Sequence, residues 1–431
     1  MFDNYHDKDH AREPVPTGEG VRGWHIGLIY IGVGLALPAF LLGSRVGISL
    51  GLTDTMLAII ASGVILTLIG GVTGAIGARV RLSTYMITQI TFGRIAAKAI
   101  NLLMAATIMG WFGITISMLA HSLDTLFIDQ FSLHFGVITW SIISGMLIIS
   151  TAVWGFRGLD KLSLLVVPLL FSLLIATNWH VLGETDLTHV LALSGDGSIP
   201  FEVAVSMMAG GFMVGATNMP DISRYGRTMK DGAIGAFLCF LPGMLVVLTL
   251  SALPALVMGQ TDIIDIMTGF GWPIAATLVV ILAAWSSNDN NLYSASLSLA
   301  SVIREVEKWK ITVIMGVFGI VLAVLGILDG FVTFLSLLGV VIPPVAGVYI
   351  ADYFIRKADY QRADVASAPN LRIVAVSSWA IGSLVAFCTL PENTGGWGVI
   401  TLTGISVLDG LLAGAIALVV LSYGFAARGM K

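Results

Sequence analysis

Ser286-Ser287-Asn288-Asp289-Asn290-Asn291 is a run of six polar residues inside an otherwise apolar stretch, immediately after Trp285. These residue types at this spacing offer two kinds of chemistry. Two adjacent hydroxyls, supplemented by free backbone carbonyls, form a neutral all-oxygen site that suits a hard monovalent cation such as sodium, whereas transition metals favour His and Cys. The amides beside them can hydrogen-bond the polar edge of a small ligand. Positions three or four apart share a helix face, so Ala283, Ser286 and Asn290 form one stripe, Ser287 and Asn291 a second, and Asn288 points elsewhere. The plainer reading of both serines is hydrogen bonding back to carbonyls one turn earlier. Asp289 reads either as a proton carrier or as a structural acceptor near a neighbouring helix end.

Two aromatic residues sit beside glycines. Trp111 lies in Met109-Gly110-Trp111-Phe112-Gly113, and Phe212 in Gly210-Gly211-Phe212-Met213-Val214-Gly215. A flat ring with room beside it can stack on a planar heteroaromatic ligand, with a few polar groups fixing orientation. Simple packing is the alternative for each. Enzyme chemistry finds no support: His180 and His189 lack metal-ligand spacing, and there is no zinc-protease motif, phosphate loop or nucleophile elbow.

The elements that must position these groups follow from composition. The 431 residues are 56% hydrophobic and 11% charged, against about 25% charged in a soluble protein. Apolar runs of about 17–28 residues are long enough to cross a ~30 Å hydrocarbon core as helices. The chain is therefore expected to be an all-α polytopic membrane protein whose partner is the lipid bilayer. Twelve transmembrane helices are predicted, at approximately 24–50, 55–78, 98–127, 136–155, 162–182, 201–219, 231–258, 271–303, 311–328, 330–355, 371–390 and 410–427. The polar first 23 residues contain no charged segment leading into a short apolar core, so no removable signal peptide is expected. Cys239 and Cys388 fall inside apolar runs and are expected to be packing thiols. The net charge of −4 and the lack of a basic cluster argue against a nucleic-acid partner. Oligomeric state is not readable from these features.

The basic residues test the count of spans. With the N-terminus in the cytoplasm, every one of the 22 lysines and arginines except Arg45 falls in a cytoplasmic segment. The opposite loops carry Asp129, Glu184, Asp186, Asp196, Asp262, Asp265, Asp329, Glu392 and Asp409. This is the positive-inside pattern, and it places both termini in the cytoplasm of a plasma membrane, the inner membrane in a bacterium.

Span 1 contains Gly32-Val33-Gly34-Leu35-Ala36-Leu37-Pro38, and span 6 contains Gly210-Gly211-Phe212-Met213-Val214-Gly215. Close helix packing is the plain reading of either alone. Their separation by five spans, an odd number, implies that a second five-helix unit inserts upside down. Interrupted helices at matching positions of two inverted halves point to a transport site near the bilayer midplane. The expected organisation is a cytoplasmic tail (1–23), a first repeat (24–182), an inverted second repeat (201–355), two additional helices (371–427) and a cytoplasmic end (428–431).

Several segments together resemble the cytosine permease-like branch of the nucleobase–cation symporter-1 family. They are Trp285-Ser286-Ser287-Asn288-Asp289-Asn290-Asn291-Leu292-Tyr293, Gly110-Trp111-Phe112-Gly113, Asp221-Ile222-Ser223-Arg224-Tyr225-Gly226-Arg227, Ile342-Pro343-Pro344-Val345-Ala346-Gly347 with Ile350-Ala351-Asp352-Tyr353, and Thr91-Phe92-Gly93. The resemblance extends from about residue 24 to 355. It implies a LeuT-type fold with ten core helices and two more, with helices 1 and 6 broken. It also implies a sodium ion held by the carbonyls of Gly32, Leu35 and Ala283 and the hydroxyls of Ser286 and Ser287. A nucleobase is then expected between Trp111 and Phe212, with Asn288 on its polar edge and backbone contacts from the region of Gly211. Two positions depart from the cytosine permease pattern: Ile108 stands where that pattern has Gln, and Val214 where it has Ser. Both remove hydrogen-bonding groups, so a more apolar or methylated pyrimidine, or a purine, would suit this pocket at least as well as cytosine. The expected activity is sodium-coupled symport of a neutral, flat, nucleobase-like heterocycle by alternating access. A proton-coupled permease using Asp289 and a passive channel are its rivals.

Overall fold

The computed structural model describes residues 14–16, 20–34, 37–154, 159–302, 306–362 and 368–427. In chain order its helices are α1 (Gly23–Gly34), α2 (Leu37–Leu50), α3 (Leu52–Val80), α4 (Thr84–Phe92), α5 (Arg94–Phe131), α6 (Val137–Trp154), α7 (Leu159–Glu184), α8 (Leu187–Ala192), α9 (Phe201–Thr217) and α10 (Pro220–Ser223). They continue with α11 (Met229–Leu238), α12 (Met244–Met258), α13 (Ile263–Gly269), α14 (Pro273–Val302), α15 (Lys308–Val324), α16 (Phe331–Val341), α17 (Pro343–Ile355), α18 (Lys357–Arg362), α19 (Ile373–Thr389) and α20 (Ser406–Ala427). Each predicted apolar segment coincides with one helix or with two in series. A π-turn at Cys239–Gly243 joins α11 to α12 around Pro242, whose missing N–H removes an α-helical hydrogen bond there. Pro343 opens α17 and separates it from α16.

The long helices sort into two packed groups. In one, α3 packs on α9 and α11, α1 on α11 and α2 on α12. In the other, α5 packs on α14, α15 and α6, and α6 on α15. Predicted spans 1, 2, 6 and 7 thus form one group, and spans 3, 4, 8 and 9 the other. Predicted spans 5 and 10 bridge them, with α7 against α12 and α14, and α16 against α9 and α5. The last two helices, α19 and α20, pack on each other and on α17. Backbones approach closely where α3 meets α11: a Cβ on Gly232 would lie 2.2 Å from the Gly74 carbonyl oxygen. That packing of small residues is how membrane helices gain van der Waals contact.

The interruption expected at Gly210–Gly215 is absent: α9 runs as a continuous α-helix from Phe201 to Thr217. The glycines serve approach instead. A Cβ on Gly210 would stand 2.6 Å from the Leu335 carbonyl oxygen and 3.0 Å from the Gly339 Cα of α16. In span 1, α1 ends at Gly34 and α2 begins at Leu37; the positions between, including the expected ligand Leu35, lie outside the described residues. Cys239 is buried, Cys388 half-buried, and both are free thiols.

Candidate functional site

Three helices carry Trp111, Gly211 and Asn288, three of the four expected ligand-binding residues. From α5, Trp111 presents its indole edge to α9, 3.7–3.8 Å from where a Gly211 Cβ would lie. From α14, the fully buried Asn288 donates its side-chain amide to the Phe112 carbonyl at 3.3 Å, one residue along from Trp111. Its own carbonyl accepts from Asn291 at 3.4 Å. Trp111 thus has Gly211 of α9 at its indole edge, while Asn288 of α14 holds the backbone one residue along from it. Thr115 donates back to the Trp111 carbonyl at 2.9 Å.

Phe212 does not face Trp111. One residue beyond Gly211, and so rotated by about 100°, it borders a narrow apolar gap with Ile31, Phe240, Met244 and Val247. The rings against Trp111 belong to α16: Phe331 at 6.2 Å and 75°, and Phe334 at 5.5 Å and 83°, both edge-on. Gly110 makes this possible, because a Cβ there would lie 2.4 Å from the Phe334 ring. Sequence reading missed both phenylalanines. Phe331 follows Asp329 and Gly330 and Phe334 follows Thr333, and nothing in that order marks either ring as facing Trp111.

Of the expected cation ligands, Ala283 is buried and Ser286 and Ser287 are half-buried on α14. Gly32 lies in the last turn of α1. Among the described residues no group of three or more His, Cys, Asp or Glu side chains could hold a metal. The neighbouring carboxylate is directed elsewhere: fully buried Asp289 accepts from the Thr151 hydroxyl of α6 at 3.1 Å, and Thr151 accepts from the Trp285 indole N–H at 3.0 Å. Serine hydroxyls with backbone carbonyls form a neutral donor set whose chemistry fits a monovalent cation.

The remaining motifs converge on the short helix α4, at the end of the molecule with the Lys/Arg-rich loops. Asp221 accepts from the Thr84 backbone N–H at 2.8 Å, capping the start of α4. At its other end, Arg356 donates to the Ile90 carbonyl at 2.9 Å and Arg372 to the Thr91 carbonyl at 2.8 Å. Both arginines bind Asp352, which is 1% exposed: Arg356 through Nε at 2.9 Å and through Nη2, and Arg372 through Nη1 at 2.9 Å. Tyr360 hydrogen-bonds Asp352 at 2.6 Å and Thr91 at 2.6 Å. Burial raises the Tyr360 phenol above its ordinary range, and the Asp352 carboxylate adds to the shift. The same end of α9 is closed by three hydroxyls on successive carbonyls: Thr73 on Ala216 at 2.6 Å, Tyr349 on Thr217 at 2.8 Å and Tyr30 on Asn218 at 2.9 Å. These groups satisfy helix-end carbonyls that have no partner within their own helix.

The described residues form an all-helical, apolar architecture of two packed helix groups, which defines an integral membrane protein. A family model described as permease for cytosine/purines, uracil, thiamine, allantoin matches residues 24–414, and the chain belongs to that family. It is a permease and not an enzyme. The chain is 28% identical to the cytosine permease of Escherichia coli (strain K12) over 423 residues, 96% of this chain and 94% of that protein. It is 25% identical to the allantoin permease of Bacillus subtilis (strain 168), covering 79% and 77%. Among solved structures, the inward-facing conformation of Mhp1 superposes with a TM-score of 0.80 at 19% identity, covering 95% of this chain and 94% of that one. The closed conformation of Mhp1, a nucleobase-cation-symport-1 family transporter with bromovinylhydantoin bound, superposes with a TM-score of 0.77 at 19% identity, covering 97% and 96%. The fold is therefore the one shared with Mhp1.

Proposed function

We propose that this protein is a sodium-coupled symporter that imports a neutral, flat, nucleobase-like heterocycle by alternating access across a plasma membrane, with both termini cytoplasmic. The observation that carries the reading is the approach of Trp111 to Gly211 across α5 and α9, with Asn288 of α14 bonded to the backbone one residue along from Trp111. The heterocycle stacks on the Trp111 indole beneath Phe331 and Phe334, passes its polar edge to Asn288, and uses the space left by Gly211. Phe212 forms the wall toward α1 and α12 in place of a second stacking face.

Sodium is held beside it by Ser286 and Ser287, with carbonyls of Ala283 and of the first span around Gly32 and Leu35. The two sites sit on consecutive residues of α14, so ordering one pre-organises the other. One cation crossing ~100 mV contributes about 2.3 kcal/mol, and a tenfold gradient adds roughly 1.4 kcal/mol. The sum, about 3.7 kcal/mol, sustains accumulation of several hundredfold, on the order of what tenfold per 1.4 kcal/mol allows.

The test is a ligand panel of cytosine, uracil, purines, hydantoins and hydroxymethylpyrimidine, scored by thermal stabilisation of the purified protein with and without sodium. A flat heterocycle is expected to stabilise the protein more in sodium, and the sodium dependence is expected to vanish in Ser286→Ala plus Ser287→Ala. If no flat heterocycle stabilises the protein, the stacking site is wrong.

A second reading, proton coupling, draws on one observation: buried Asp289 is hydrogen-bonded by the neutral Thr151 hydroxyl. Sodium-driven uptake that survives Asp289→Asn excludes it.

A further inference from the structure

A cavity of about 470 Å³ opens at the end of the bundle that carries the acidic loops. Arg45, Asp196, Val203, Thr261, Val332 and Asn393 are among its walls. Arg45 is the single basic residue assigned to this side of the chain. Its guanidinium carbon stands 5.8 Å from the centre of the Phe331 ring, and that ring stands edge-on to Trp111. Phe331 thus stands between Arg45, on the cavity wall, and Trp111. The Arg45 Nε is buried and has no hydrogen-bond partner among the described residues.

Two buried hydroxyls lie one turn further along the helices that carry the cavity-lining Val203 and Val332. Val203 and Ser206 share a face of α9, and Val332 and Ser336 a face of α16. Ser206 and Ser336 are 5% and 2% exposed, and neither hydroxyl has a partner among the described residues. Buried, unpaired polar groups are costly unless a ligand or water serves them.

The charges restrict the ligand. Asp196 is exposed, and the Ser198 side chain and backbone N–H hold its carboxyl below the usual range, so it is ionised. Asp329 also acts electrostatically on Arg45. An anion would meet two carboxylates for one guanidinium. A neutral heterocycle with a carbonyl edge and an N–H edge meets a donor at Arg45 and an acceptor at Asp196.

We propose that this cavity is a docking subsite, in which Arg45 holds the carbonyl edge and Asp196 the N–H edge of a neutral, amide-type heterocycle before it passes Phe331 to Trp111. The inference rests on the transport reading above.

The test uses Asn393→Cys at the cavity wall, in purified full-length protein, labelled with a fluorescent maleimide and blanked against the protein without that cysteine. Uracil and cytosine are expected to slow labelling, and adenine, which has no carbonyl, is not. Protection is expected to persist when Trp111→Ala disables the inner site. Arg45→Met is expected to raise the uracil concentration for half-protection by roughly tenfold or more, the loss associated with one charge-assisted hydrogen bond. Asp196→Asn, on an exposed loop, is expected to weaken protection as well, so a folding defect in Arg45→Met does not decide the matter. Protection lost with Trp111→Ala, or unchanged in both Arg45→Met and Asp196→Asn, overturns the subsite. Uptake of a panel compound without any protection also overturns it, whereas absence of both uptake and protection overturns the transport reading itself.

Discussion

Gly210 and Gly211 are neighbours on one continuous helix, yet alanine at the two positions is expected to act differently. In a helix interior, Gly→Ala alone gains about 0.8–1.0 kcal/mol. At Gly210 the new methyl would lie 2.6 Å from the Leu335 carbonyl oxygen and 3.0 Å from the Gly339 backbone, atoms that move only if α9 and α16 separate. Overpacking of that kind costs about 1–3 kcal/mol, so the net change runs from about zero to a loss of roughly 2 kcal/mol. At Gly211 the nearest atom is the Leu335 Cδ2 at 3.1 Å, the tip of a flexible side chain, and the Trp111 ring is in ordinary contact beyond it. There the helix gain survives, and Gly211→Ala is expected to be neutral or stabilised by up to about 1 kcal/mol. The same methyl occupies room beside Trp111, so ligand affinity falls while stability does not. Unfolding by SDS titration in mixed micelles compares the two variants directly, and ligand-induced stabilisation reads the second effect. Gly210→Ala the more stable of the two would refute the close packing of a continuous α9 against α16.

Trp111→Ala removes the stacking face, worth about 1–3 kcal/mol per base, so ligand binding is expected to weaken by roughly 5- to 150-fold, with Trp111→Phe retaining part; equilibrium binding of the compound found in the panel checks this. Asp352→Asn leaves Arg356 and Arg372 without their shared carboxylate, and breaking such a buried pair costs about 3–5 kcal/mol. SDS unfolding is expected to show the loss, and adding Arg372→Met is expected to recover part of it. Thr151→Val removes both the donor to Asp289 and the acceptor for Trp285. A loss of about 1–3 kcal/mol is expected, with Thr151→Ser close to the parent in the same titration.

Much of the fold was legible because membrane insertion is a local problem. Whether a segment crosses hydrocarbon depends on its own residues, and each predicted apolar segment coincides with helix. The polar run in α14 was equally visible, since such groups inside an apolar segment demand partners. The break expected in α9 was misread for a physical reason. Glycine relieves crowding between helices as readily as it permits unwinding, and only the partner surface distinguishes the two. That surface, Leu335 to Gly339, lies far along the chain.

The site shows the same division. Composition, span positions and charge asymmetry could be read from the order of residues alone, as could the expectation that Trp111 and Asn288 are candidates for ligand contact. What faces Trp111 could not. Phe212 was the expected partner by sequence proximity to a glycine pair, but one residue along a helix turns a side chain by about 100°, and the rings that reach Trp111 are Phe331 and Phe334. Likewise, Arg45 stood out in sequence only as the one exception to the charge pattern, and its place over Phe331 beside a polar cavity comes from the approach of that side chain on α2 to a ring on α16. Sequence determines which helices exist and which carry polar groups, because those follow from local transfer energies. Tertiary packing decides which faces meet, because that depends on shape complementarity between segments that no local rule connects.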